Sequence, residues 1–340
     1  MNNPLVSIII VNWNGEKILD DCLRSLTQLD YKNWELVFVD NASVDKSLEI
    51  LDKYKSKISK LKIVKNDSNL GFAGGNNVGL KFAQGELILL LNNDTKVSPN
   101  LLTVLARRIN SEAKIGVVQP KIKIMDKPEL LDNAGSFLTR TGFLEHWGFM
   151  EKDGIEFDSE RLIFSAKGAC MLIKKDIIEK IGLFDNSFGS YFEESDFCWR
   201  VWLLGYQVLY YPETFIYHKV GFTSKKQDQV FVFYHSLKNR LLSMIKNFEM
   251  KNLFLIGGFH LFLLLGLSLY YLLRMRIRQG MMVYQAIFWN ILNLNQTLQK
   301  RAKVQKLRRV TDKKIFEIIM KPFDLKAMVV HFGKVEANFK

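Results

Sequence analysis

Val6-Ser7-Ile8-Ile9-Ile10-Val11-Asn12-Trp13-Asn14 decides how this chain is read. Its apolar run, Val6–Val11, is only six residues long and is preceded by the polar Met1-Asn2-Asn3-Pro4, so it does not fit a secretory signal. Consecutive β-branched residues closed by Asn12–Gly15 instead predict a strand buried on both faces, as in a parallel sheet. Helical spacing follows at Ile18, Leu19, Cys22, Leu23 and Leu26, then a second short apolar run, Glu35–Asp40, and a turn at Asn41-Ala42-Ser43. A helix near Leu48–Tyr54, a strand at Leu61–Val64, a helix over Gly74–Ala83 and a strand at Leu87–Leu91 continue the alternation. That rhythm predicts an α/β fold whose mainly parallel sheet is flanked by helices.

Beyond Asp94 the pattern loosens. Helices are expected over Leu101–Ile109, Asp176–Ile181 and Glu193–Leu204, with strands at Ala169–Ile173 and Val208–Tyr211. The 340 residues allow one large domain or two ordinary ones, and 48% hydrophobic with 24% charged residues excludes a disordered chain, a collagen-like repeat and a polytopic membrane protein. Cys22, Cys170 and Cys198 are far apart and odd in number, which offers no disulfide framework or CxxC zinc pair and fits a reducing compartment.

The net charge of +13 is unevenly placed. From Lys219 to Lys340 there are 22 Lys+Arg against six Asp+Glu, whereas residues 1–218 are nearly neutral. We therefore expect two parts, 1–225 and a basic helical region, 226–340. Within the latter, Val230–Phe248 reads as an amphipathic helix. Leu253–Leu273 holds 21 residues without a formal charge, long enough to cross a ~30 Å hydrocarbon layer. Arg274, Arg276 and Arg278 follow at once, then a shorter apolar run, Met281–Leu294, and a basic cluster, Lys300–Lys314. Membrane lipids are the expected partner, by insertion or deep interfacial contact. Positive charge on both flanks sets no orientation. Burial of the stretch in a homodimer is the alternative. No nucleic-acid module is visible, so nucleic acid is not expected.

Four patches carry candidate chemistry at strand ends, where open α/β sheets bind ligands. Trp13 and Asn14 follow the first strand and Asp40 ends the second; a carboxylate there can accept a pyrimidine imide N–H while the indole walls in the base. Asn69-Leu70-Gly71-Phe72-Ala73-Gly74-Gly75-Asn76-Asn77 is glycine-rich and feeds a helix, so free N–H groups could face a nucleotide; it is neither a Walker loop nor GxGxxG. Leu89-Leu90-Leu91-Asn92-Asn93-Asp94-Thr95 presents oxygen ligands suited to Mg²⁺ or Mn²⁺, with a diphosphate completing the shell. Glu193-Glu194-Ser195-Asp196 opens a helix and offers a general base, and His218 follows at a strand end.

In order and spacing these elements resemble the family 2 glycosyltransferases of GT-A fold, most closely rhamnosyltransferase-like members, over residues 4–245. The resemblance implies that Val11, Trp13, Asn14 and Asp40, with Gly71, Gly74, Asn76 and Asn93, line the nucleotide-sugar site. It also implies that Asp94 and His218 hold a divalent cation, Mg²⁺ or Mn²⁺. The acid cluster falls on a motif whose second acid is the usual base; that position is Glu194 here, with Asp196 as the alternative. Asn92 and Asn93 depart from the acids often found in the family's DxD motif. The expected activity is inverting transfer of a sugar, with dTDP-rhamnose as one donor, to a hydroxyl of a glycan or lipid-linked acceptor in cell-surface polysaccharide synthesis. The expected setting is the cell membrane, catalytic part cytoplasmic. Other readings are a nucleotidyltransferase, which the missing basic glycine loop after the first strand disfavours, and a degenerate membrane-bound scaffold.

Overall fold

The computed structural model describes residues 3–221 and 229–321; expectations for 222–228 and 322–340, including the end of the basic tail, lie outside the described residues. The chain divides into two compact units. One comprises the chain up to Ser136 plus His146–Val220, and the other Phe137–Glu145 plus the chain from Gly221 onward.

The elements run β1 (Val6–Asn12), α1 (Leu19–Leu26), β2 (Trp34–Asp40), α2 (Ser47–Asp52), β3 (Leu61–Lys65), α3 (Gly71–Leu80), β4 (Leu87–Leu91), β5 (Thr95–Val97) and α4 (Leu101–Ser111). Then come β6 (Ile115–Ile124), β7 (Lys127–Asn133), β8 (Ser136–Thr139), β9 (Leu144–His146), β10 (Arg161–Leu162), β11 (Cys170–Lys174), α5 (Lys175–Ile181), α6 (Glu193–Leu203) and β12 (Gln207–His218). The main sheet follows the order β10-β12-β6-β11-β4-β1-β2-β3, with β5 beside β12 and β7 beside β6. Parallel pairing joins β1 to β2 and β4, β2 to β3, and β6 to β12. β11 runs antiparallel between β4 and β6.

The apolar runs are explained by two-sided burial. Ile8, Ile10, Leu36 and Phe38 pack with Leu19, Leu23, Leu26, Leu101 and Leu105 in one core. Each such fully buried side chain contributes roughly 1.5–3 kcal/mol. On the other face α3 comes close because Gly79 faces Ile9 and Val39; a Cβ there would sit 2.6 Å from Ile9 Cγ2. The three cysteines are buried free thiols.

In the second unit α7 (Gln229–Asn247) leads to α8 (Met250–Asn252), a π-helical turn (Leu253–Gly257) and α9 (Gly258–Leu273). These last three form one continuous rod, Met250–Leu273. Next come α10 (Ile277–Leu292), α11 (Leu294–Leu307), α12 (Asp312–Ile319) and β13 (Met320–Lys321), which pairs with β8. Leu237, Leu241, Leu264, Val283 and Ala286 make the core. Arg301 Nη1 donates to the carbonyls of Ile245 and Phe248, closing the C-terminus of α7, where backbone acceptors lack helical partners.

Candidate active site

The parallel register brings the ends of β1 and β2 together, with Asn12 opposite Asp40. A polar chain starts there. Asp40 Oδ2 accepts from the Ser43 N–H (3.2 Å), Ser43 Oγ accepts from Asn12 Nδ2 (3.1 Å), and Asn12 Oδ1 accepts from Asn93 Nδ2 (2.7 Å). Asn93 adjoins Asp94, so these contacts link the candidate base-recognition acid to the candidate metal ligand. Asp40 Oδ1 is buried without a hydrogen-bond partner. Leaving such an atom unpaired is costly, which suits an acceptor awaiting a donor from a ligand. Trp13, 39% exposed, stands beside this end of the sheet. Asn14 (φ 51°) and Ala42 (φ 61°) adopt left-handed backbone in the two loops.

His218 is delivered to Asp94 by strand pairing. β12 runs antiparallel to β5 with His218 opposite Thr95, and the Lys219 N–H donates to Asp94 O at 2.9 Å. His218 Nε2 lies 3.2 Å from Asp94 Oδ1, an ion-pair distance, yet that oxygen is buried without a well-formed hydrogen bond. From the other side Asp132 Oδ2 lies 2.8 Å from His218 Nδ1, and Lys167 Nζ donates to both Asp132 oxygens at 2.6 Å. Asp132 is fully buried. Burial alone would raise its pKa, but Lys167 and His218 hold it well below the usual carboxylate range. Burial alone would lower His218, but Asp94 and Asp132 push it up to about 9.

This donor set fits a divalent cation. Asp94 Oδ1 is an underused buried oxygen, His218 Nε2 faces it, and Asp132 fixes the opposite ring nitrogen, as outer-shell carboxylates do for ligating histidines. No group of three His, Cys, Asp or Glu side chains able to hold a metal occurs among the described residues. Two protein ligands therefore suit a cation whose remaining shell comes from diphosphate oxygens and water.

The acid cluster begins α6. Tyr191 (φ 74°) and Phe192 (φ 73°) precede it in consecutive left-handed conformations, at roughly 1–3 kcal/mol each. Glu193 is buried with Oε2 unpaired; burial, then the neighbouring Glu194 charge, pushes its pKa well up. Burial also raises Glu194, against its own backbone N–H and the Lys167 charge. Lys167 thus acts on both the base candidate and, through Asp132, the metal-ligand pair. Asp196 is different: Arg200 Nε donates to its Oδ2 at 3.0 Å, while Arg200 also holds the carbonyls of Ile181, Gly182 and Leu183. This buried ion pair gives Asp196 a structural partner within α6.

The glycine-rich segment needs correction. The helix starts at Gly71, not Gly74, and its first N–H groups are already taken. Gly71 N–H donates to Asn69 Oδ1 (2.9 Å), Phe72 N–H to Ser190 Oγ (3.2 Å) and Ala73 N–H to Gly189 O (2.9 Å). Asn76 is buried and donates back to Phe72 O. A Cβ at Gly71 would strike Gly189 O, one at Gly74 the Leu70 side chain, and one at Gly75 Val11 Cγ1. The N–H groups of Gly71, Phe72 and Ala73 are therefore not free to face a nucleotide, and Val11 is partly covered by α3. Asn12 stands in the first strand-end patch and Ser43 in the turn after Asp40, whereas no local pattern distinguishes Asp132 or Lys167.

A family model for glycosyl transferase family 2 matches residues 7–182, just over half of the chain. The chain belongs to this family. A glycosyltransferase of Haemophilus influenzae is 36% identical over 102 residues, 30% of this chain and 41% of the relative. Staphylococcus aureus TarS, a poly(ribitol-phosphate) beta-N-acetylglucosaminyltransferase, is 35% identical over 99 residues, 28% of this chain and 17% of the relative. The matched segment thus spans less than half the length of these curated relatives. The fold is GT-A-like. S. aureus TarS 1–349 in complex with UDP-GlcNAc superposes with TM-score 0.57 at 19% identity, covering 94% of each chain. The Pyrobaculum calidifontis mannosyltransferase in complex with GDP-Man and Mn²⁺ superposes with TM-score 0.56 at 15% identity, covering 90% of this chain and 86% of that one.

Proposed function

We propose that this protein is a nucleotide-sugar-dependent glycosyltransferase of hexosyltransferase type. It transfers a sugar, with inversion, to a hydroxyl of a glycan or lipid-linked acceptor during cell-surface polysaccharide synthesis. The observation that carries the reading is the polar chain from Asp40 through Ser43, Asn12 and Asn93 to the neighbouring Asp94, with His218 beside it and Glu194 electrostatically coupled through Lys167. Family membership and the TarS and mannosyltransferase likenesses support it.

Asp40 accepts the base N–H at Oδ1, and Trp13 walls in the base. Asp94 and His218 would hold Mg²⁺ or Mn²⁺. When bound, such a cation neutralises the charge that builds up on the leaving diphosphate. Glu194 takes the proton of the acceptor hydroxyl as its oxygen bonds to the anomeric carbon. The bond from that carbon to the diphosphate oxygen breaks on the opposite face, and the nucleoside diphosphate leaves with the electron pair. Buried Glu193, its pKa raised well above the usual carboxylate range, limits like-charge repulsion beside the base. A dTDP-rhamnose donor is the finer form of this reading, supported only by the motif resemblance.

A thermal-shift screen of nucleotide sugars with and without Mn²⁺ tests the proposal. One donor should raise the melting temperature in a Mn²⁺-dependent way, and Asp94→Ala should abolish the shift. A screen with no stabilising donor, or equal shifts in wild type and Asp94→Ala, contradicts it.

A further inference from the structure

The second unit leaves much of the apolar surface of its helices uncovered. The 24-residue rod Met250–Leu273 has only 17% of its most apolar 18-residue window buried, so it is not the core helix of a soluble domain. Its buried positions are His260, Leu264, Ser268 and Tyr271, so two of the four are polar. His260 Nδ1 bonds Thr141 O at 2.8 Å, and Ser268 Oγ donates to Gly280 O of α10 at 2.9 Å. On α10, Asn290 Nδ2 donates to Lys238 O of α7. Many large apolar side chains point outward: Phe254, Phe262, Leu269 and Leu273 on the rod, Phe288 and Ile291 on α10. Polar and small residues at several helix–helix contacts (His260, Ser268, Gly280, Ala286, Asn290), with Leu, Ile and Phe outside, fit packing in hydrocarbon. Between Met250 and Leu294, 18 large apolar side chains are exposed, and contiguous apolar surface marks an interaction site.

Charge identifies the occupant. From Met250 to Thr311 the chain contains no Asp or Glu and ten Lys or Arg. A second copy would set cations against cations, whereas an anionic lipid surface neutralises them. The geometry also decides how the helices sit. Arg274 and Arg276 occupy the turn between α9 and α10, and Arg278 lies in the first turn of α10. Burying them at the bilayer centre would cost ~2.5–3.5 kcal/mol each. By ~1.5 Å per residue, the 16 residues of α10 reach about 24 Å, short of a ~30 Å hydrocarbon core. A spanning rod would also draw in α10, which is tied to α7 and its Lys238 and Arg240. We infer that the α9–α10 pair lies in the plane of an anionic bilayer, with its outer faces among the acyl chains and the basic residues at headgroup level. This proposal uses nothing of the donor site, so its failure would leave the proposed function standing.

The full chain should float with preformed phosphatidylglycerol/phosphatidylcholine vesicles at low salt, and less with phosphatidylcholine alone. Phe262→Glu/Phe288→Glu, changed at exposed positions, should weaken flotation at least tenfold with an unchanged far-UV spectrum and melting temperature. Arg274→Glu/Arg276→Glu should remove the preference for the anionic lipid. Fluorophores on Lys251→Cys and on Arg276→Cys, added from outside, should both be quenched by impermeant dithionite. Failure to bind anionic vesicles, a dimer that buries the apolar face and stays off them, unweakened flotation of the double Phe variant, or protection of position 276 alone would each overturn the inference.

Discussion

Asp132→Asn removes one negative charge without changing shape, at the point where the site's electrostatics converge. The native carboxylate is fully buried and takes two 2.6 Å contacts from Lys167 Nζ and one of 2.8 Å from His218 Nδ1. Losing one member of a buried ion pair costs about 3–5 kcal/mol. The Lys167 side chain keeps 29% exposure and can partly resolvate, so we expect the low end, about 3 kcal/mol, by urea unfolding. The second effect separates positioning from stability. Without the carboxylate the His218 ring exchanges an anionic partner for a neutral amide that holds its orientation less firmly, and Mn²⁺ affinity should fall roughly 10–100-fold. It would be measured by electron paramagnetic resonance of free Mn²⁺ at saturating UDP or GDP, whichever stabilises the wild type. Asp132→Asn/Lys167→Met, which also removes the orphaned ammonium, should regain much of the stability but none of the metal affinity. Native Mn²⁺ affinity in folded Asp132→Asn would refute the reasoning, as would recovery of metal binding together with stability.

Glu194→Gln should lower kcat by roughly 10²–10⁴-fold in a nucleoside diphosphate release assay, with donor Kd by calorimetry unchanged; a parallel loss of donor binding would make Glu194 a donor contact. The raised pKa of Glu194 should appear as an acid limb in kcat/KM, with activity rising as the carboxyl ionises. Lys167→Met removes a charge that favours the ionised form and should move that limb to higher pH; an unmoved limb would detach Lys167 from the base. The linked stability has the matching sign: a carboxyl raised in the folded state contributes stability at low pH that is lost as pH rises through its folded value. Ala42→Gly relieves a left-handed alanine and should add up to about 1 kcal/mol in urea unfolding; destabilisation would show that the Ala42 methyl is held by packing.

The first half of the fold is legible because its strands are buried on both faces. Ile8–Ile10 and Leu87–Leu91 can be little else in an α/β chain, and the loops at Asn12 and Asp40 follow directly. Asp94 and His218 are paired in the sequence only through the family resemblance, because their meeting depends on β5 pairing with β12, about 120 residues later, which no local pattern encodes. Asp132 was invisible for the same reason: it reaches His218 from β7 across the sheet. The expectation of free N–H groups at the glycine segment fails because helix-start glycines have two uses. Here Gly71 and Gly75 let backbone and side chains approach, while Asn69, Ser190 and Gly189 consume the N–H groups. The apolar tail could be recognised by composition. Which of its faces were buried could not, because Ser268, Asn290 and His260 look like interruptions until their partners are known.

The most direct test is a crystal structure of the full chain with Mn²⁺ and the nucleoside diphosphate that stabilises it, using anomalous scattering to locate the metal. The account predicts one manganese peak in coordination contact with Asp94 Oδ1 and His218 Nε2, with the base against Asp40 and Trp13. A manganese or nucleotide bound away from those four residues would contradict it.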